Sequence, residues 1–200
     1  LIQQGTVIDV LLQSLIVDKT INVNELLIGD KNAIMIAARI LGYGKDYEFE
    51  YDGIEQKVDL SKLNPVKIEF ENSPKGVNEF SYVLPNSKRT ITFKLLNGKD
   101  EKQIESELKA LRKISKTQSS SLTTRLKKMI LSVDGNSEKS FINNFVENEF
   151  LSRDSLVFRQ YLTKITPDMD MTTTVNDSNG KETEVVIPIT VRFFWPATGI

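Results

Sequence analysis

Residues 46–60 read DYEFEYDGIEQKVDL. Tyr47, Phe49 and Tyr51 alternate with acids, and a period of two puts the three aromatics on one face of a strand. Asp52-Gly53 follows, a dipeptide that accepts the positive φ angles of a tight hairpin turn, and the chain then resumes toward Val58 and Leu60. The stretch therefore predicts an antiparallel hairpin. Upstream of it, Val7, Val10, Leu11, Ser14 and Leu15 recur at helical spacing and predict an amphipathic helix over 6–17. A second helix is expected over KNAIMIAARIL, with Asp30 as its N-cap and Gly42 or Gly44 ending it.

Downstream, VKIEF at 66–70, NEFSYVL at 78–84 and RTITFKLL at 89–96 read as three strands. After Asn97-Gly98 the period changes to 3.6, with Ile104, Leu108, Leu111 and Ile114 on one face of a helix capped near Asp100. A polar break, TQSSS at 117–121, separates it from a helix marked by Leu122, Leu126, Met129, Ile130 and Val133 and ended by Asp134-Gly135. Two further helices are expected: 137–150, with Phe141, Phe145, Val146 and Phe150, and 152–165, with Leu156, Val157, Tyr161 and Ile165, capped by Ser152. Beyond Pro167, TTTV at 172–175, the turn NDSNG at 176–180 and the run 182–195 predict a closing β-hairpin in which Pro188 marks an edge or a break. The order is that of an α+β chain: N-terminal helices, antiparallel hairpins, a central helical bundle and a C-terminal hairpin. One unit spanning 1–200 is expected, with subregions 1–45, 46–96, 97–166 and 167–200.

Composition narrows the chemistry. The 26 basic and 27 acidic side chains leave a net charge of -1, so no global field draws the chain to nucleic acid or to an anionic membrane. With no Cys and no His, thiol catalysis, disulfides, Cys/His zinc sites and Ser-His-Asp triads are all excluded. The longest apolar run, Ala33 to Ala38, falls far short of the roughly 20 residues that cross a bilayer. The segment TVIDVLLQSLIV carries Asp9 and Gln13 without a basic leader, unlike a signal peptide.

Four local features stand out. Asp168 and Asp170 sit two apart, but two carboxylates make a poor cage for a hard cation, and the stretch reads as a helix-to-strand loop. Gly42-Tyr43-Gly44 lacks the third glycine of a dinucleotide fingerprint and reads as a C-cap. Residues 109–128 hold seven basic side chains, Arg112, Lys113, Lys127 and Lys128 among them, and no acid. That face could be solvated and balanced by Glu105, Glu107 and Glu138, could dock an acidic protein surface, or could track phosphates as a small nucleic-acid-binding module. Phe193, Phe194, Trp195 and Pro196 stand near the C-terminus; on a strand Phe194 faces one side and Phe193 with Trp195 the other, so either both faces are covered within the monomer or one side is offered to a partner protein.

ELLIGDKNAIMIAARILGYGKDYEF at 25–49, DLSKL at 59–63 and IPITVRFFWP at 187–196, taken in this order, resemble the T4-type bacteriophage baseplate protein family. The pattern rests on Gly29, Asp30, Arg39, Ile40, Tyr43 and Gly44 together with the terminal FFWP. The resemblance implies a non-enzymatic baseplate hub subunit or hub assembly factor of a contractile tail. Such a protein is found in the virion after assembly in the host cytoplasm and binds other hub and tail proteins. Members of that family often carry two Cys-x-x-Cys knuckles suited to a zinc ribbon. The corresponding turns here are Tyr51-Asp52-Gly53-Ile54 and Asn176-Asp177-Ser178-Asn179, so no thiolate is left for zinc and no cofactor is expected. A metal-free version is implied in which the two hairpins still pack together, with Tyr47, Phe49 and Val186 supplying apolar burial.

Overall fold

The computed structural model describes residues 4–68, 76–114, 121–189 and 191–194, with backbone alone at 4–6, 112–114 and 191–192. In chain order the elements are α1 (Gln4–Leu15), α2 (Ile28–Tyr43), β1 (Asp46–Tyr51), β2 (Ile54–Asp59), β3 (Phe80–Val83) and β4 (Thr90–Phe93). Then come α3 (Gly98–Ile114), α4 (Ser121–Met129), β5 (Ile130–Val133), α5 (Lys139–Asn144), α6 (Ser152–Ile165), β6 (Thr172–Asn176), β7 (Glu182–Val186) and α7 (Val191–Phe194). The chain is α+β, as its sequence predicts. Its contacts gather into two compact units where one was expected: Leu1–Val66 with Pro167–Ile200, and Lys67–Thr166.

In the first unit, β1 and β2 pair with Tyr47 opposite Val58 and Phe49 opposite Gln56, burying Tyr47 and Phe49 as the alternation requires. The face that α1 buries differs from the expected one. Leu12 is fully buried and Ile8, Leu11 and Ile16 pack around it, while Val10 and Leu15 are exposed. The carboxylate of Asp9 is buried beside them, where Lys31 of α2 donates to it at 2.5 Å, so an ion pair joins the apolar contacts in orienting the helix. Helix α2 starts two residues before the expected cap. Leu27 flanks it without a side-chain bond and Asp30 lies in its first turn, where a carboxylate still meets the positive helix end. Gly44, at φ +84°, ends it by donating its N–H to the Ile40 carbonyl.

β6 and β7 pair through Thr172↔Val186 to Asn176↔Glu182. The expected strand over 182–195 ends at Val186. Ile187 still donates its N–H to the Met171 carbonyl, Pro188 follows, and Val191–Phe194 form a helical turn. Neighbours on a helix stand about 100° apart where strand neighbours stand 180° apart, so one core can take both Phe193 and Phe194. They are 0% and 4% exposed. The Phe193 ring meets Tyr47 edge-on at 4.9 Å between centroids, within a core that includes Leu12, Met35, Ile36, Leu60 and Val175.

The second unit is a three-stranded antiparallel sheet, β3-β4-β5, with helices around it. Phe158 of α6 meets Phe93 edge-on at 4.9 Å, and Tyr161 stacks on Tyr82 at 4.5 Å. The helix expected to run on to Val133 stops at Met129. Ile130 and Val133 satisfy a helical period, but as a strand they pair with β4, where Thr92 and Ser132 share a hydroxyl hydrogen bond of 2.6 Å. Without β5 that edge of β4 would be left unpaired. Helix α3 is capped by Asn97, whose Oδ1 accepts the Asp100 N–H, and Asp100 returns the bond to the Asn97 N–H. Helix α6 begins at Ser152 with no side-chain cap and buries Asp154, Phe158, Leu162 and Ile165, leaving Leu156 exposed. Of the expected strand 66–70, residues 66–68 are not strand, and Val66 instead donates its N–H to the Asp168 carbonyl. Residues 69–70, and 117–120 of the expected break, lie outside the described residues.

Candidate functional site

The tips of the two hairpins of the first unit are joined. Asp52, left-handed at φ +51° in the first turn, accepts the backbone N–H of Ser178 at 2.9 Å and its hydroxyl at 2.5 Å. Gln56 adds a bond to the Asn176 carbonyl at 2.9 Å. The Ser178 hydroxyl and N–H hold the Asp52 carboxyl below its ordinary range. The packing expected of two thiol-free turns is thus made by a carboxylate and a serine. Of the proposed apolar contributors Tyr47 and Phe49 are buried, but Val186 is 68% exposed, because alternation gives the inner position to Val185.

Asp168 and Asp170 turn their oxygens inward on the chain. Asp168 Oδ1 accepts from Asn32 Nδ2 at 2.9 Å and from the Met169 N–H, and Asp170 Oδ1 accepts the Thr172 hydroxyl and N–H. Among the described residues no three carboxylates gather where they could hold a metal ion, and no helix is long and apolar enough to cross a membrane.

The acid-free basic stretch finds its acids elsewhere. Lys109 pairs with Glu105 at 2.6 Å, Arg125 grips Glu101 through two bonds of 2.6 and 2.7 Å, Lys128 meets Glu107 at 3.2 Å, and Lys127 is bonded to Glu147. Lys127 and Lys128, expected on a partner face, are therefore tied within their own unit. Of the remaining expected contacts, the side chains of Arg112 and Lys113 and all of Trp195 and Pro196 lie outside the described residues. Phe193 and Phe194 are core residues, which corrects their assignment to an interface.

Arg39, 5% exposed, serves as a junction. Its Nη1 donates to the Gly44 carbonyl at 3.1 Å and Nη2 to the Asp46 carbonyl at 3.2 Å, and its guanidinium lies 5.0 Å from the Tyr43 ring centroid and 5.8 Å from that of Tyr47. It clamps the end of α2 to the start of β1 by hydrogen bonds and cation–π contact.

A surface that the aromatics overshadow in the sequence is the opposite face of the same strands. The acids at 46, 48 and 50 alternate with Tyr47, Phe49 and Tyr51, so burying the aromatics exposes the acids. Asp46 stands opposite Asp59 and Glu50 opposite Glu55, with Lys57 facing Glu48 between them. Lys57 bonds to Asp46 and Lys45 to Asp59, each at 3.0 Å. Glu50 and Glu55 thus face each other with no cation paired to either among the described residues. The partition of charge follows the units: the first holds 8 basic and 15 acidic side chains, net −7, and the second 18 and 12, net +6, which together give the chain's −1. The second unit carries a counterpart in α6. Arg153, Leu156, Arg159 and Lys164 are all exposed, while the single acid of that helix, Asp154, is buried on the other side.

Comparison with protein-family models, curated proteins and solved structures returns no match to this chain.

Proposed function

We propose that this protein is a non-enzymatic component of a contractile phage tail, a baseplate hub subunit or hub assembly factor that acts through protein–protein contacts. The observation that carries the contact role is the outer face of β1 and β2. Like charges directly opposite one another weaken a sheet, and a two-stranded ribbon has little stability to spare. A face kept in that state is suited to a positively charged partner, because complementary charge speeds encounter and rejects wrong partners.

The tail assignment rests on the resemblance of 25–49, 59–63 and 187–196 to baseplate proteins. The fold gives those residues concrete work. Gly29 lets the start of α2 lie against the backbone of Pro167 and Asp168, Arg39 with Tyr43 and Gly44 forms the junction to β1, and Phe193 with Phe194 closes the core. The shared pattern is thus one that builds a scaffold. The nucleic-acid alternative loses support, since four cations of 109–128 are held by glutamates.

The test is cosedimentation. Antibodies against the protein should detect it with tail or baseplate intermediates from cells producing the phage that encodes it. Its absence from every such intermediate would overturn the assignment.

A further inference from the structure

The acidic hairpin face and the basic face of α6 are complementary, and every molecule carries both. We infer that the protein self-associates head to tail, the β1–β2 outer face of one copy docking on α6 of the next. This stands independently of the tail assignment, since it rests on charge and geometry alone. The stripe from Arg153 to Arg159 runs about 9 Å along its helix at 1.5 Å per residue. The acids from Asp46 to Glu50 span about 13 Å of strand at 3.3 Å per residue, long enough to cover it. Each offers what the other lacks. Glu50 and Glu55 oppose one another without a cation, and Arg153 and Arg159 have no carboxylate partner among the described residues. Leu156, exposed between the two arginines, supplies an apolar centre to the contact.

Two different surfaces make this a heterologous contact, which closes into a ring or grows as a filament according to the rotation between copies. One helix on one hairpin is a small interface, below the roughly 1,200 Å² of stable complexes, so the association should be weak and charge-driven.

The experiment uses the full chain in sedimentation velocity at about 0.02 M and about 0.5 M salt, between which the Debye length shrinks from tens of ångströms to a few. Concentration-dependent oligomers are expected at low salt and monomers at high salt. Two exposed-surface variants follow: Glu48→Gln/Glu50→Gln/Glu55→Gln, and Arg153→Gln/Arg159→Gln. Each alone should associate at least about tenfold more weakly with no loss of melting temperature, the hairpin variant gaining from relief of the Glu50–Glu55 repulsion. Mixed, they should form a one-to-one dimer that grows no further, since one retains the helix face and the other the hairpin face. A wild-type chain that stays monomeric at low salt, variants that associate like wild type, or a mixture that remains monomeric would each overturn the inference. A chain that assembles only when DNA or another protein is added counts as monomeric.

Discussion

Asp154, on α6, accepts hydrogen bonds from the backbone N–H and side-chain amide of Asn86, 68 residues earlier, at 2.8 and 2.7 Å. Its second oxygen takes the Ser87 N–H at 2.9 Å. The carboxylate is 0% exposed and holds the β3–β4 turn against the helix. Asp154→Ala should strand two backbone donors at roughly 1–3 kcal/mol each, read as a shift in urea midpoint.

The same carboxyl makes acid stability distinctive. Burial pushes its pKa up, but the bonds from Asn86 and Ser87 prevail and hold it at about 2, against an ordinary 3.8. A depressed folded value means that the contribution is complete above the unfolded value and disappears as pH falls toward the folded one. Wild type should therefore lose stability between about pH 4 and pH 2 more steeply than Asp154→Asn does. Parallel slopes in urea titrations over that window would show that Asp154 is not the group responsible.

Gly29 and Gly42 lie in one helix and should respond oppositely to alanine. Ala is favoured over Gly inside a helix by about 1 kcal/mol. At Gly42 a Cβ would meet nothing within 4 Å, so Gly42→Ala should raise the melting temperature. At Gly29 a Cβ would lie 2.0 Å from the Pro167 carbonyl oxygen and 2.6 Å from Asp168 Cα. These are backbone atoms that cannot rotate away, and overpacking costs about 1–3 kcal/mol or more, which outweighs propensity. Gly29→Ala should be clearly destabilised in thermal melts.

The Asp52–Ser178 bond can be isolated because Asn tolerates the left-handed turn conformation that Asp52 adopts. Asp52→Asn and Ser178→Ala should each lower the melting temperature, and the double variant should lower it by less than their sum. Strict additivity would mean that the two tips are not energetically coupled.

Much of this fold was legible where the sequence carries a single period. The 46–60 hairpin, the Gly44 terminus and the turn at 176–180 follow from local chemistry alone. Ile130 and Val133 fit helix and strand alike, and the unpaired edge of β4 decides between them. The contact face was harder to read for a similar reason. Glu147 lies 20 residues from Lys127 and Glu101 lies 24 from Arg125, so the basic stretch looks free until the fold brings its partners. The acids of β1 were legible all along, since every aromatic turned inward by a period of two turns its neighbour outward.

The aromatic end of the chain gives the clearest reversal. A strand over 182–195 would have sent Phe193 and Phe194 to opposite sides, with one of them anchoring a partner. The helical turn at Val191–Phe194 buries both, Phe193 against Tyr47 and Phe194 at 5.2 Å from Phe193. Truncating a fully buried phenylalanine costs about 3–5 kcal/mol, a large part of the roughly 5–15 kcal/mol that a domain has to spare. Phe193→Ala should therefore lower the melting temperature sharply, and Phe194→Ala should do so to a similar degree. A Phe194→Ala chain with wild-type stability but impaired partner binding would restore the interface reading; matched losses of stability in both variants fix the pair as core.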